Sequence, residues 1–147
     1  MSVFSVLIVD DEVDYLDIMI KRMKKRNLQV AGVKSGKEAL EFLKKEPVDV
    51  VLLDVKMPEM DGLQVLREVK REYPLIEVIM LTGHANVEVA IEGMELGAFD
   101  YLIKPMDIDD LLYKLQDAYK RRSIQLEKIR NFEKRSTQDP GGADKPG

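Results

Sequence analysis

Five short, nearly continuous apolar runs alternate with five longer amphipathic segments, and this alternation leaves the chain few folds to adopt. The runs are Val3–Val9, Leu28–Val33, Val48–Leu53, Ile76–Leu81 and Ala98–Ile103. They are apolar throughout rather than at every second residue, so they read as strands buried on both faces, as parallel strands are. Strand–helix alternation in short units requires right-handed crossovers, which place helices on both faces of one sheet. The expected fold class is α/β, a doubly wound five-stranded parallel sheet.

The segments between the runs carry helical signals. Val13, Leu16, Ile20 and Met23 recur at steps of three and four, with Lys and Arg on the other side. Ser35–Gly36–Lys37–Glu38 reads as a capping box for a second helix, whose core side is Ala39, Leu40 and Leu43. A third presents Leu63, Leu66 and Val69 and stops before Pro74; a fourth starts near Asn86 and ends at Gly97, a C′ glycine. The fifth follows Leu112, Leu115, Tyr119, Arg122, Leu126 and Ile129, with Arg122 interrupting the apolar spacing. Its first half is expected on the sheet, while from about Lys120 nothing remains for it to cover. Lys120–Arg121–Arg122 accordingly reads as a solvated helix face. The expected division is a domain over 1–119, a helical extension for linkage or dimerisation over 120–135, and a disordered tail over 136–147 (STQDPGGADKPG).

Composition excludes several classes of function. A chain of 147 residues with 45% hydrophobic residues fills one core with a modest extension. The absence of cysteine rules out disulfides and thiolate metal sites. A net charge of -4 argues against a nucleic-acid partner. No apolar run approaches the roughly 20 residues that cross a bilayer. The opening MSVFSVLIVDDE lacks a basic leader and reads as a buried strand rather than a signal peptide. A soluble cytoplasmic protein is expected.

Ligands of open α/β sheets bind beyond the carboxyl ends of the strands. There the chain delivers Asp10 and Asp11 after the first run, Asp54 after the third, Thr82 after the fourth and Lys104–Pro105 after the fifth. Asp10 and Asp11 alone would read as a helix cap; with Asp54 and Lys104 at equivalent strand ends they read as a site. Two like charges ~4 Å apart at an effective dielectric of about 20 repel by roughly 4 kcal/mol. Clustered carboxylates therefore raise one another's pKa unless a cation intervenes. Lys104 supplies part of that charge, and all-oxygen donors suit Mg²⁺ for the rest. Asp54 is then a competent nucleophile toward a phosphoryl group, as carboxylates form aspartyl phosphates. The transferred group spreads its charge over three oxygens, one each for the metal, Lys104 and the Thr82 hydroxyl.

The segments LIVDDE, LLDVKMPEMDG, MLTGHA and DYLIKP, in that order between residues 5 and 105, resemble the four signatures of the receiver domain of two-component response regulators. The resemblance implies a flavodoxin-like sheet of strand order 2-1-3-4-5 with Asp54 as phosphoacceptor. It implies Asp11 as a direct Mg²⁺ ligand, Asp10 acting through water, and the Lys56 carbonyl completing the shell beside Asp54. Lys104, joined to Pro105 by a cis bond, would meet the phosphoryl group. Thr82 and Tyr101 match the two switch residues, and similar proteins signal through the fourth helix, fifth strand and fifth helix. Gly83 stands where the family more often has alanine, while Lys56 and His84 flank the pocket and would set phosphoryl lifetime.

The implied phosphodonor is a sensor histidine kinase, since His84 is the one histidine and lies in a loop. The implied recipients are a downstream protein, an output domain, or a second copy in a phosphorylation-dependent homodimer. Catalysis would extend only to the chain's own phosphotransfer and dephosphorylation, which is not an enzyme in the usual sense. The alternative is a constitutive dimerisation or scaffold module that uses the long C-terminal helix. A Mg²⁺-dependent phosphohydrolase would need substrate-specific groups that the sequence does not offer. Met57, Met60 and Met106 read either as filler or as an adaptable docking surface.

Overall fold

The computed structural model describes residues 3–55, 61–83 and 86–138. Ten elements follow the expected alternation: β1 (Ser5–Val9), α1 (Val13–Lys24), β2 (Gln29–Val33), α2 (Gly36–Lys45), β3 (Val50–Leu53), α3 (Gly62–Glu72), β4 (Glu77–Thr82), α4 (Val87–Glu95), β5 (Asp100–Ile103) and α5 (Ile108–Gln138). The strands form one parallel sheet in the order β2-β1-β3-β4-β5.

Strand side chains alternate between two apolar layers. Val6, Ile8, Val50, Leu52, Ile79 and Leu81 face α1 and α5, where they meet Leu16, Met23, Leu111 and Leu115. Leu7, Val9, Val51, Leu53, Val78 and Met80 face the other layer, with Ala39, Leu43, Leu66 and Val69. Burial on both faces is why the runs show no polar alternation.

Four of the five paired strands are shorter than their apolar runs. Phe4, Leu28, Val48, Ile76 and Ala98 are buried but lie outside the strands. They plug the lower end of the sheet, so their hydrophobicity reports burial rather than ladder pairing.

The helix signals hold, with one shift in α1. Ser35 Oγ accepts from Glu38 N–H, Asn86 caps α4, and Gly97 adopts φ +105°. In α1 the buried residues are Leu16, Met19 and Met23, whereas Val13 is exposed. Val13 begins the helix, one turn before it reaches the sheet.

The reading of α5 beyond Tyr119 needs correction. Arg121, although half-exposed, and the more withdrawn Arg122 are paired with acids of the sheet. Arg121 forms a bidentate ion pair with the buried Glu77 at the start of β4, and its guanidinium lies 4.6 Å over the Phe99 ring. Arg122 Nε donates to Asp49 Oδ1 at 3.0 Å, and Asp49 Oδ2 accepts from Ser5 N–H at 2.9 Å. Phe4 stacks on Tyr119 with centroids 4.7 Å apart. Two charges thus replace apolar side chains where α5 crosses the sheet edge. The helix runs to Gln138, three residues past the expected boundary at 135; residues 139–147 lie outside the described residues. No described helix is long and apolar enough to cross a membrane.

Candidate functional site

Three backbone hydrogen bonds just past the strand ladders hold the candidate side chains in register. Asp10 N–H donates to Val33 O at 3.1 Å, Asp54 N–H to Val9 O at 2.9 Å, and Lys104 N–H to Thr82 O at 2.7 Å. Asp10, Asp54 and Lys104 therefore emerge from one edge. Asp10, Asp54 and Thr82 are buried there. Thr82 is the last residue of β4 rather than the first after it.

Lys104 draws the acids together. Its Nζ lies 2.8 Å from Asp10 Oδ2, 3.3 Å from Glu12 Oε1 and 3.9 Å from Asp54 Oδ2. The same ammonium sits 4.2 Å from the centre of the Tyr15 ring, a cation–π contact. Burial works against the charged form, but the Asp10 hydrogen bond and the charges of Asp10, Asp54 and Glu12 outweigh it and raise the Lys104 pKa. Tyr15 is also raised, first by burial; the Lys104 charge works against this, while the charges of Asp10, Glu12 and Asp54 add to it. The Lys104–Pro105 peptide bond is cis.

One oxygen from each of Asp10, Glu12 and Asp54 falls within 4.8 Å of the others. Such a set of hard oxygen donors, two of the three residues buried, fits a divalent cation that keeps waters in its shell. Glu12 escaped the sequence reading. It is the N-cap residue of α1 without capping through its side chain, while Asp10 Oδ1 accepts from Glu12 N–H at 2.9 Å. The signal was present as the third acid of the DDE run. Asp11 is partly exposed and lies outside this group of converging oxygens. Lys56, Met57, Met60 and His84 lie outside the described residues.

Tyr101 sits partly buried in β5, against the layer that contains Val89 and Leu96. Its hydroxyl accepts from Asn86 N–H at 3.3 Å, which ties β5 to the cap of α4. A groove of about 440 Å³ lies at the opposite end of the sheet, between Leu43, Val48, Tyr73, Ile76, Arg122 and Leu126. Its walls are mainly apolar, and Glu46 is the one carboxylate residue lining it.

A family model described as the response regulator receiver domain matches residues 6–116. The chain belongs to this family. The receiver domain is 41% identical over 113 residues to the transcriptional regulatory protein ZraR of Escherichia coli, covering 77% of this chain and 26% of that protein. It is 37% identical over 131 residues to a putative response regulator, NtrX-like, from Rickettsia bellii, covering 88% of this chain and 27% of the relative. The chain thus spans about a quarter of the length of these relatives.

Among solved structures it resembles a CheY-like receiver domain protein from Methanospirillum hungatei, with TM-score 0.81, 28% identity and coverage of 84% and 99%. NtrX from Brucella abortus gives TM-score 0.82 at 28% identity, over 91% of this chain and 31% of that one. These relatives agree with the strand order and helix placement described above.

Proposed function

We propose that Asp54 accepts the phosphoryl group and that Lys104, Thr82 and the acids of β1 make the transfer feasible. The reading rests on one observation: Asp10, Asp54 and Lys104 share a strand edge, with the lysine bridging both carboxylates. In this scheme an Asp54 carboxylate oxygen attacks phosphorus in line. The bond from phosphorus to the donor nitrogen or oxygen breaks as the aspartyl–phosphate bond forms, and the leaving group departs with the electron pair. Lys104, now closer to Asp10 than to Asp54, shifts toward the new phosphoryl oxygens. The Thr82 hydroxyl donates to another of them.

Mg²⁺ fits the acid cluster, where it would act as a Lewis acid toward the phosphoryl oxygens. Asp10, Asp54 and Glu12 are within reach of one ion; the family resemblance adds Asp11 and the Lys56 carbonyl. Charge gathered at Thr82 would bias the Tyr101–Asn86 contact, and with it the position of α4. Driving such a switch from 1:99 to 99:1 takes roughly 5.5 kcal/mol of differential interaction, within reach of a few charge-assisted contacts.

The donor in this reading is the phosphohistidine of a sensor kinase, and the recipient is a partner protein or output domain. Beryllofluoride, a phosphoryl mimic, tests it. Mg²⁺-dependent binding by the native chain and its loss in Asp54→Ala are expected; equal binding by both would sink the assignment. A scaffold reading draws on the exposed Ile124, Ile129 and Phe132 of α5. It predicts an oligomeric state unmoved by beryllofluoride.

A further inference from the structure

Lys104 Nζ has four polar or aromatic neighbours among the described residues. Three are carboxylates, with Asp10 Oδ2 at 2.8 Å, Glu12 Oε1 at 3.3 Å and Asp54 Oδ2 at 3.9 Å. The fourth is the ring of Tyr15, over which the ammonium lies 4.2 Å from the centroid. The three acids are the same three whose oxygens converge as candidate cation ligands. A divalent ion taken up by them draws on the charge that holds the lysine, whereas hard cations take oxygen donors and leave a ring face alone. Tyr15 is thus the neighbour for which the lysine has no competitor.

The ring is also held more firmly than the ammonium. Tyr15 stands in the first turn of α1, immediately before the buried Leu16, and its partly buried side chain packs against the core layer beneath that helix. Lys104, by contrast, reaches the pocket on a flexible four-carbon stem. Its side chain is only 12% exposed, so the ammonium has given up most of its water. An aliphatic wall would leave that side of the charge uncompensated, but the face of an aromatic ring carries the negative part of its quadrupole. The attraction extends to about 6 Å from the centroid, farther than any hydrogen bond. Lys104 can therefore move from Asp10 toward oxygens carried by Asp54 without leaving the ring.

We propose that Tyr15 is a positioning residue for Lys104 in phosphoryl transfer: its ring keeps the ammonium at the pocket while the acids are shared with a cation, so that the lysine meets the phosphoryl group on Asp54. The proposal rests on the phosphoacceptor reading above. Its bond changes are the ones given there: the donor–phosphorus bond breaks, the Asp54–phosphorus bond forms, and the electron pair leaves with the donor. Tyr15 neither gives nor takes a proton in them, so the ring and not the hydroxyl is the part that matters.

A ring contact has a signature that a merely structural role lacks. The Lys104 ε-methylene, bonded to the nitrogen over the ring, should resonate upfield of the other lysines in NMR spectra of the unphosphorylated chain without added metal. That shift should survive Tyr15→Phe and vanish in Tyr15→Leu. Initial rates with acetyl phosphate and Mg²⁺, read by mass as phosphoprotein, should fall roughly fivefold in Tyr15→Leu, as expected for one partly desolvated cation–π contact. Tyr15→Phe, which restores the ring, should recover most of the rate.

An unshifted Lys104 ε-methylene in the native chain overturns the proposal, as does a Tyr15→Leu chain that transfers at the native rate. Equal slowing of Tyr15→Phe and Tyr15→Leu overturns it too, since the hydroxyl would then be the acting group. Should Tyr15→Leu fail to fold, Tyr15→Met makes the same comparison with an unbranched helix former, and the native and Tyr15→Phe spectra still decide whether the contact exists. Asp54→Ala separates the positioning role from the reading beneath it. Transfer that persists in Asp54→Ala sinks both, whereas an inert Asp54→Ala beside a full-rate Tyr15→Leu sinks the positioning role alone.

Discussion

Lys104 Nζ lies 2.8 Å from Asp10 Oδ2 but 3.9 Å from Asp54 Oδ2, so the resting ammonium belongs first to Asp10 and only second to Asp54. A cation placed there competes with any divalent ion for the same carboxylates. Lys104→Met is therefore expected to bind Mg²⁺ several-fold more tightly than the native chain, because a like charge within ~5 Å is removed. The same variant should lose most beryllofluoride binding, since one partner of the phosphoryl oxygens is gone. Calorimetric titration with Mg²⁺, with and without beryllofluoride, reads both effects. Parallel loss of the two affinities would show that Lys104 simply supports the pocket.

Titration of Lys104 gives a stability prediction with a definite sign. Its folded pKa is raised above the ordinary 10.5, against the cost of burial, by the Asp10 hydrogen bond and the neighbouring acids. A raised lysine contributes stability that is fully present below the unfolded pKa and is lost as pH rises through the folded one. The stability difference between Lys104 and Lys104→Met chains should therefore stay level from about pH 7 to 9 and narrow above about 10.5. Tyr15 titrates in the same range and touches the ammonium, so the comparison belongs in a Tyr15→Phe background. Urea unfolding across that range checks it, and a difference that already falls by pH 8 would contradict the cage of acids.

Glu77 and Arg121 carry a prediction about where the domain ends. Glu77 is buried, with Lys70 3.7 Å away as its other cation. Arg121→Met leaves that carboxylate with Lys70 alone. Breaking a buried pair costs about 3–5 kcal/mol; half-exposure of Arg121 and the remaining Lys70 reduce the expectation to about 1.5–3 kcal/mol. Chemical denaturation should show this loss, and Glu77→Gln/Arg121→Met should be less destabilised than the sum of the single changes. A chain ending at Tyr119 should lose more than either single variant. Equal stability of chains ending at Tyr119 and at Ser123 would restore the sequence-based boundary.

That boundary shows where the sequence ceases to be legible. Periodicity located all five strands, because residues buried on both faces leave an unbroken apolar run. The rule that strand ends carry ligands brought Asp10, Asp54, Thr82 and Lys104 to one edge before any coordinates. Arg121 and Arg122 break the apolar pattern of α5, yet their acids stand 44 and 73 residues away. A charged residue on a helix face looks unpaired until its partner is placed. Glu12 was hidden for a related reason, since three residues after the end of β1 its direction depends on the turn into α1. Asp11 and Glu12 are neighbours, and only the coordinates show which of them joins Lys104.

Gly62 opens α3 and Gly83 follows β4, and the two should respond oppositely to the same substitution. A Cβ on Gly62 would fall 2.4 Å from the Val55 Cα and 2.8 Å from its carbonyl oxygen, both backbone atoms that cannot swing aside. Gly62 N–H also donates to that oxygen at 3.2 Å, tying the start of α3 to Val55 beside Asp54. Gly62→Ala must therefore push Val55 and the start of α3 apart, at a cost of about 2–3 kcal/mol for an overpacked, inflexible contact. A Cβ on Gly83 would meet nothing within 4 Å. Gly83→Ala, the residue the family more often has there, should change stability by less than about 0.5 kcal/mol. Thermal unfolding separates the two, and beryllofluoride titration locates the effect. Gly62→Ala is expected to weaken binding of the mimic by moving Val55 beside Asp54, even where enough folded protein remains to measure. Unimpaired binding by a folded Gly62→Ala chain would show that Val55 yields without disturbing Asp54.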